Sequence, residues 1–228
     1  MVDSLLYIVI SALCFIPAII LHEVAHGFMA YKLGDPTAKH AGRLTLNPLA
    51  HVDWFGTVVL PLLMAIMGGP VFGYAKPVPY NPRYFKDPRK GDLLVGLAGP
   101  FANLLLALAA AGIMHLLVML IKTGLVPGAV YASDLFAIIM FSFLPTFVMV
   151  NLCLMFFNLL PIPPLDGSSI FAIILPVKYL PTYYKIQQYS FPIFMVLCCF
   201  IPYLFNINPI GIYLDVTAGN LAKLLFPF

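Results

Sequence analysis

The sequence predicts an all-α polytopic membrane protein, with about four full crossings, a re-entrant segment over residues 54–75 and a short β-like stretch near 36–50. Two observations carry that expectation. The chain is 62% hydrophobic and only 9% charged, against about 25% charged residues in soluble domains. Its apolar residues also gather into long runs that charge scarcely interrupts, as segments threaded through hydrocarbon do. A single integral membrane domain over 1–228, bedded in a lipid bilayer, is the organisation expected. No stretch between the runs is long or polar enough for a nucleic-acid-binding module.

Residues 4–31 form the first run, with Glu23 its one formal charge. Met1-Val2-Asp3 lacks the basic start of a secretory signal, so the run is expected to be retained. Between this run and the next, Gly34-Asp35-Pro36 reads as a turn and Ala41 to Leu46 as strand. The apolar core Trp54 to Met67 is only 14 residues long before Gly68-Gly69-Pro70, a length suited to a segment that dips in and returns. Pro77, Pro79, Pro82 and Pro88 make 73–90 extended rather than helical. Residues 93–121 and 186–214 are each long enough to cross. Residues 135–177 carry one charge, Asp166, and read as a crossing followed by a segment broken at Pro161, Pro163 and Pro164. The four cysteines lie in apolar runs without ligand-type spacing and suggest no disulfide framework.

The basic residues orient the chain. If 54–75 returns to its own side, ten of the twelve lysines and arginines share one side, leaving Lys122 and Lys223 opposite. A full crossing there would split them seven to five. The excess of basic residues in cytoplasmic loops favours the first arrangement, with both termini outside. The first helix then leaves the membrane near Lys32. At 1.5 Å per residue, His26 lies about 9 Å and His22 about 15 Å below that surface.

The chemistry centres on His22-Glu23-Val24-Ala25-His26. On a helix, histidines at i and i+4 share a face, so both imidazoles can reach one metal ion. Glu23, the only glutamate, stands beside the first ligand, where it could take a proton from a water on the metal. An ionisable group at this depth costs about 2.5–3.5 kcal/mol or more, which favours a functional role over a polar patch. A catalytic zinc usually takes three protein ligands. No second glutamate exists, and Lys32 stands where a third histidine ten residues after the first would be. His40, His51, His115 and the aspartates remain. Asp166 is the strongest of these: it is the one charge in 135–177, follows the proline break and precedes Gly167. It also suits a helix N-cap before Ser168. His51 reads either as a second-shell or transition-state partner or as a boundary histidine. Asn103 and Asn158 either bond neighbouring helices or pair with substrate backbone or a developing oxyanion.

Three patterns then carry a family likeness: His22 to His26, Gly99-Pro100-Phe101-Ala102-Asn103, and Asn158 to Gly167 ending in Leu165-Asp166-Gly167. Together they resemble the site-2 protease family of intramembrane zinc metalloproteases, in its compact bacterial form. Asn47 to Gly56 and Gly73 to Pro79 add to the likeness, which runs from about residue 10 to 175. The resemblance implies one zinc ion held by His22, His26 and Asp166, with Glu23 as catalytic acid/base. It implies cleavage of transmembrane segments of membrane-protein substrates near the cytoplasmic side of a bacterial plasma membrane. The chain has no room for the PDZ or CBS domains of larger members. Residues 54–75 and 73–90 are candidate edges for docking an extended substrate strand. The alternative from another class is a membrane metal-ion transporter or carrier using the same ligands. It calls for ionisable groups at successive depths, whereas these cluster towards one face.

Overall fold

The computed structural model describes residues 2–59, 62, 63, 66, 75–196, 204, 205 and 207–227. Three helices organise them: α1 (Val2–Lys32), α2 (Pro88–Lys122) and α3 (Asp134–Asn158), the last passing through a π-helical stretch at Ile139–Phe143. Each is long and apolar enough to cross a membrane. All three pack against one another. Large apolar side chains on their outer faces, Leu13, Phe101, Leu116 and Phe141 among them, stay exposed. That is the inverse of a soluble bundle and matches a hydrocarbon surround.

With lipid outside as apolar as the core within, close packing holds such helices together. Ala107, Ala110 and Ala111 give α2 a face of small side chains, and Met140, Leu144, Val148, Leu152 and Met155 of α3 fill against it. Ala218 and Ala222, from the helical C-terminal stretch, close the same cluster. The start of α2 is fixed by two sequence signals. Asp87 accepts from the Arg89 and Lys90 N–H groups, and Pro88 occupies the first helical position, where no N–H is needed.

The stretch near 36–50 departs from expectation and contains no strand. It forms a short helix at Thr37–His40 and a 3-10 turn at Pro48–His51. Side-chain competition explains the difference: Asp35 accepts from Thr37 N–H at 2.9 Å and Asn47 from Leu49 N–H at 3.1 Å. Pro36 and Pro48 sit inside these side-chain turns, which start helical turns rather than extended chain. The re-entrant segment 54–75 and the crossing 186–214 lie partly outside the described residues; at their ends, Trp54–Val59 is π-helical and Ser190–Met195 is α-helical.

After α3, residues 159–167 turn tightly before helix α4 (Ser168–Ile174). Gly167 N–H donates to the Asn158 carbonyl at 2.6 Å, and a Cβ on Gly167 would meet the Leu159 oxygen at 2.3 Å. Only glycine fits that approach. The other end of α4 is held by Arg89, whose Nε and Nη2 donate to the Ala172 carbonyl at 3.0 and 2.6 Å; Nη2 also reaches Ile173 and Leu175 oxygens. A guanidinium on free carbonyls at a helix C-terminus is favoured both by hydrogen bonding and by the helix dipole. The break and α4 are thereby fastened to the beginning of α2.

Candidate metal centre

Helix α1 brings the two histidines together one turn apart, their ring centroids 4.6 Å from each other and edge to face. Their outer nitrogens decide what the inner ones do. His26 Nδ1 lies 2.7 Å from the Val95 carbonyl, which can only accept, so Nδ1 carries the proton. His22 Nδ1 lies 2.5 Å from Asn103 Oδ1. The amide of Asn103 cannot be turned round, because its Nδ2 donates to Asn151 Oδ1 at 2.9 Å and to the Ala18 carbonyl at 3.3 Å. Its Oδ1 is left to accept from His22. In the neutral imidazoles, both Nε2 lone pairs then face the same point.

Asp166 supplies the third donor. Its Oδ2 lies 3.0 Å from His22 Nε2 and 3.3 Å from His26 Nε2, and the two Nε2 atoms are 3.0 Å apart. Zinc bonds of 2.0–2.1 Å in a tetrahedron separate ligand atoms by about 3.3 Å. The triangle has the dimensions of one face of such a site. Oδ2 is buried without a hydrogen-bond donor. Three lone pairs crowded together in a buried space are unfavourable unless a cation sits among them. His22, His26 and Asp166 are a group able to hold a metal ion, and their donor set of two imidazoles and a carboxylate suits zinc. Asp166 makes no side-chain cap to α4; its backbone carbonyl instead accepts from Ser169 N–H and Oγ.

Close approach of α2 makes this geometry. A Cβ on Gly99 would lie 2.4 Å from His26 Nε2 and 2.6 Å from His22 Nε2, and one on Gly96 would lie 2.5 Å from Ser169 Oγ. The cluster opens into a cavity of about 1090 Å³. Apolar residues from three regions line it, including Phe15, Ile19, Phe157 and Phe194, and Glu23 is among the lining residues. Glu23 Oε2 accepts from the Val78 N–H at 2.9 Å.

The residues singled out by sequence fall into distinct places. His22, His26 and Asp166 meet, Glu23 lines the adjoining cavity, and Asn103 bonds His22. Asn158 also lines the cavity, with its Nδ2 on the Leu154 carbonyl of its own helix at 3.0 Å. His51 is buried but is not among the cavity-lining residues; its ring Nε2 donates to the Thr45 carbonyl at 2.9 Å. Sequence reasoning missed Gly96, Arg89, Asn151 and the Val95 carbonyl. One signal was available: Gly96, Gly99 and Asn103 recur at helical spacing, marking a single face of α2 made for close contact.

Apolar helices enclosing a histidine, histidine and aspartate cluster, with a glutamate beside it, define a membrane metallohydrolase of the His-Glu-x-x-His kind. The chain belongs to peptidase family M50, the site-2 protease family of zinc metalloproteases, whose family model matches residues 10–201. It is 39% identical over 193 residues to YwhC of Bacillus subtilis, a zinc metalloprotease by name, covering 85% of this chain and 78% of that one. It is 33% identical over 147 residues to Rip2 of Mycolicibacterium smegmatis, also named as a zinc metalloprotease, covering 64% of this chain and 50% of Rip2. To MJ0611 of Methanocaldococcus jannaschii, named likewise, it is 28% identical over 167 residues, or 73% of this chain and 71% of the other. No solved structure matches the chain. Zinc is the family's metal, and the residues present fit it.

Proposed function

We propose that this protein is an intramembrane zinc metalloprotease, a single membrane domain over 1–228 that hydrolyses peptide bonds in transmembrane segments of membrane-protein substrates. The observation that carries the reading is the convergence of His22 Nε2, His26 Nε2 and Asp166 Oδ2 beside a cavity that Glu23 also lines. These three atoms would hold the zinc ion. Bound there, zinc supplies Lewis acidity, lowering the pKa of a water and polarising a carbonyl. The chain's own residues do the rest. Asn103 and the Val95 carbonyl keep both imidazoles aimed inward. Glu23 takes a proton from the attacking water at Oε1, while Oε2 stays on the Val78 N–H, and returns that proton to the departing amide nitrogen.

The topology that suits this reading has four crossings, a re-entrant 54–75 and the basic loops on the cytoplasmic side of the cell membrane, with the cleavage site near that side. A substrate helix hides its carbonyls in hydrogen bonds, so it unwinds locally before attack. The test is the purified Glu23→Gln protein in lipid vesicles with a helical test substrate. Zinc content is expected to equal that of the unaltered protein while cleavage is abolished. Cleavage at the unaltered rate would overturn the proposal.

A further inference from the structure

Residues 75–81 run without regular secondary structure past the metal centre. Three groups from the 33–51 connector fasten them. Lys76 N–H donates to the His51 carbonyl at 2.9 Å, the Lys76 carbonyl accepts from Arg43 Nη2, and Asn81 N–H donates to Asp35 Oδ2 at 2.5 Å. Asp35 is wholly buried, Arg43 nearly so, and neither is used by the chemistry. Asp35 is itself held, with Oδ1 accepting from Thr37 N–H and Thr37 Oγ1. Between the two anchors, the Val78 N–H reaches the Glu23 carboxylate. The Val78 side chain is buried against α1, where glycine leaves room: a Cβ on Gly27 would be 2.8 Å from Val78 Cγ1.

The spacing of donors decides what this segment is for. Pro77 and Pro79 have no N–H, and the amides of Lys76 and Val78 are already taken. From 76 to 79 no amide remains to pair with an incoming substrate strand. We infer that 75–81 is a strap that positions the general base: the Val78 amide fixes the Glu23 carboxylate, and Asp35 and Arg43 are positioning residues acting through the strap. A fixed carboxylate keeps one oxygen on the amide and presents the other to water, saving the rotational search that lowers catalytic rates. The inference rests on Glu23 being the base.

Hydrogen exchange on the full-length protein in detergent or vesicles tests it directly, because Val78 is the one exchanging amide between Pro77 and Pro79. Glu23→Ala is expected to speed exchange at Val78 by about tenfold or more, since the amide then loses its acceptor. In the cleavage assay, Val78→Pro removes the N–H and Val78→Ala keeps it. At equal zinc content, kcat of the proline variant is expected to fall about tenfold or more below that of the alanine variant, with similar KM. Unchanged Val78 exchange in Glu23→Ala would overturn the inference even if Val78→Pro fails to fold. So would equal kcat for the two Val78 variants, or a loss confined to KM, which would make the strap a substrate-docking edge. Glu23→Gln separates the two levels: if it cleaves normally the base assignment itself is wrong. If it is inactive while the Val78 variants match each other, only the strap is.

Discussion

His22 and Asn103 share a hydrogen bond, Nδ1 to Oδ1 at 2.5 Å, that joins α1 to α2 and decides which nitrogen of His22 faces the metal position. Asn103 is wholly buried. Replacing it with leucine leaves Nδ1 without its acceptor and the ring free to change tautomer. Zinc affinity is expected to fall about 10–100-fold, as it does when such outer partners of ligating histidines are lost. Competition with a chromophoric chelator measures it.

Asn151 stands one step further out. Its Nδ2 donates to the Phe147 carbonyl at 2.8 Å, which leaves Oδ1 to receive Asn103 Nδ2. Asn151→Leu strands that buried donor at a cost of about 1–3 kcal/mol. A lowered unfolding temperature is expected, with a smaller loss of zinc affinity than for Asn103→Leu.

Gly99→Ala adds one methyl group on a long apolar helix, where alanine is intrinsically the better helix former. Here the methyl falls 2.4 Å from His26 Nε2. The expected outcome is a folded, membrane-inserted protein with little bound zinc and no cleavage, read by metal analysis beside circular dichroism. Full zinc occupancy would show that α2 does not lie this close to the histidines.

Arg89→Ala removes the donors on the last carbonyls of α4. A loss of about 1.5–3 kcal/mol is expected for hydrogen bonds to a charged group. Lysine should rescue only part of it, because one ammonium cannot reproduce the guanidinium fork. Thermal unfolding of the three proteins makes the comparison, and zinc affinity should fall in the same order because α4 follows directly on Asp166.

Much of this architecture was legible in the sequence because hydrocarbon imposes a simple rule. A run such as 93–121 can only be a helix there, and a charge such as Asp166 in an apolar run needs a partner. His22 and His26 were legible from helical spacing and Asp166 from its isolation after a proline break. The connector was not. Its alternating residues from Ala41 to Leu46 suggested a strand, but Asp35 and Asn47 took backbone N–H groups into turns. The partners Val95 and Val78 act through backbone atoms, which leave no mark on residue type. His51 reads from the sequence either as a second-shell or transition-state partner or as a boundary histidine; in the fold its carbonyl accepts from the Lys76 N–H and its ring Nε2 donates to the Thr45 carbonyl.

The central claim is that a carboxylate from beyond α3 completes the site begun by two histidines on α1. Zinc stoichiometry of purified Asp166→Ala, measured beside the unaltered protein and His22→Ala, tests it most directly. The unaltered chain is expected to hold about one zinc ion and both variants to lose it. An Asp166→Ala protein that keeps its zinc while His22→Ala does not would contradict the assignment of Asp166 as a ligand.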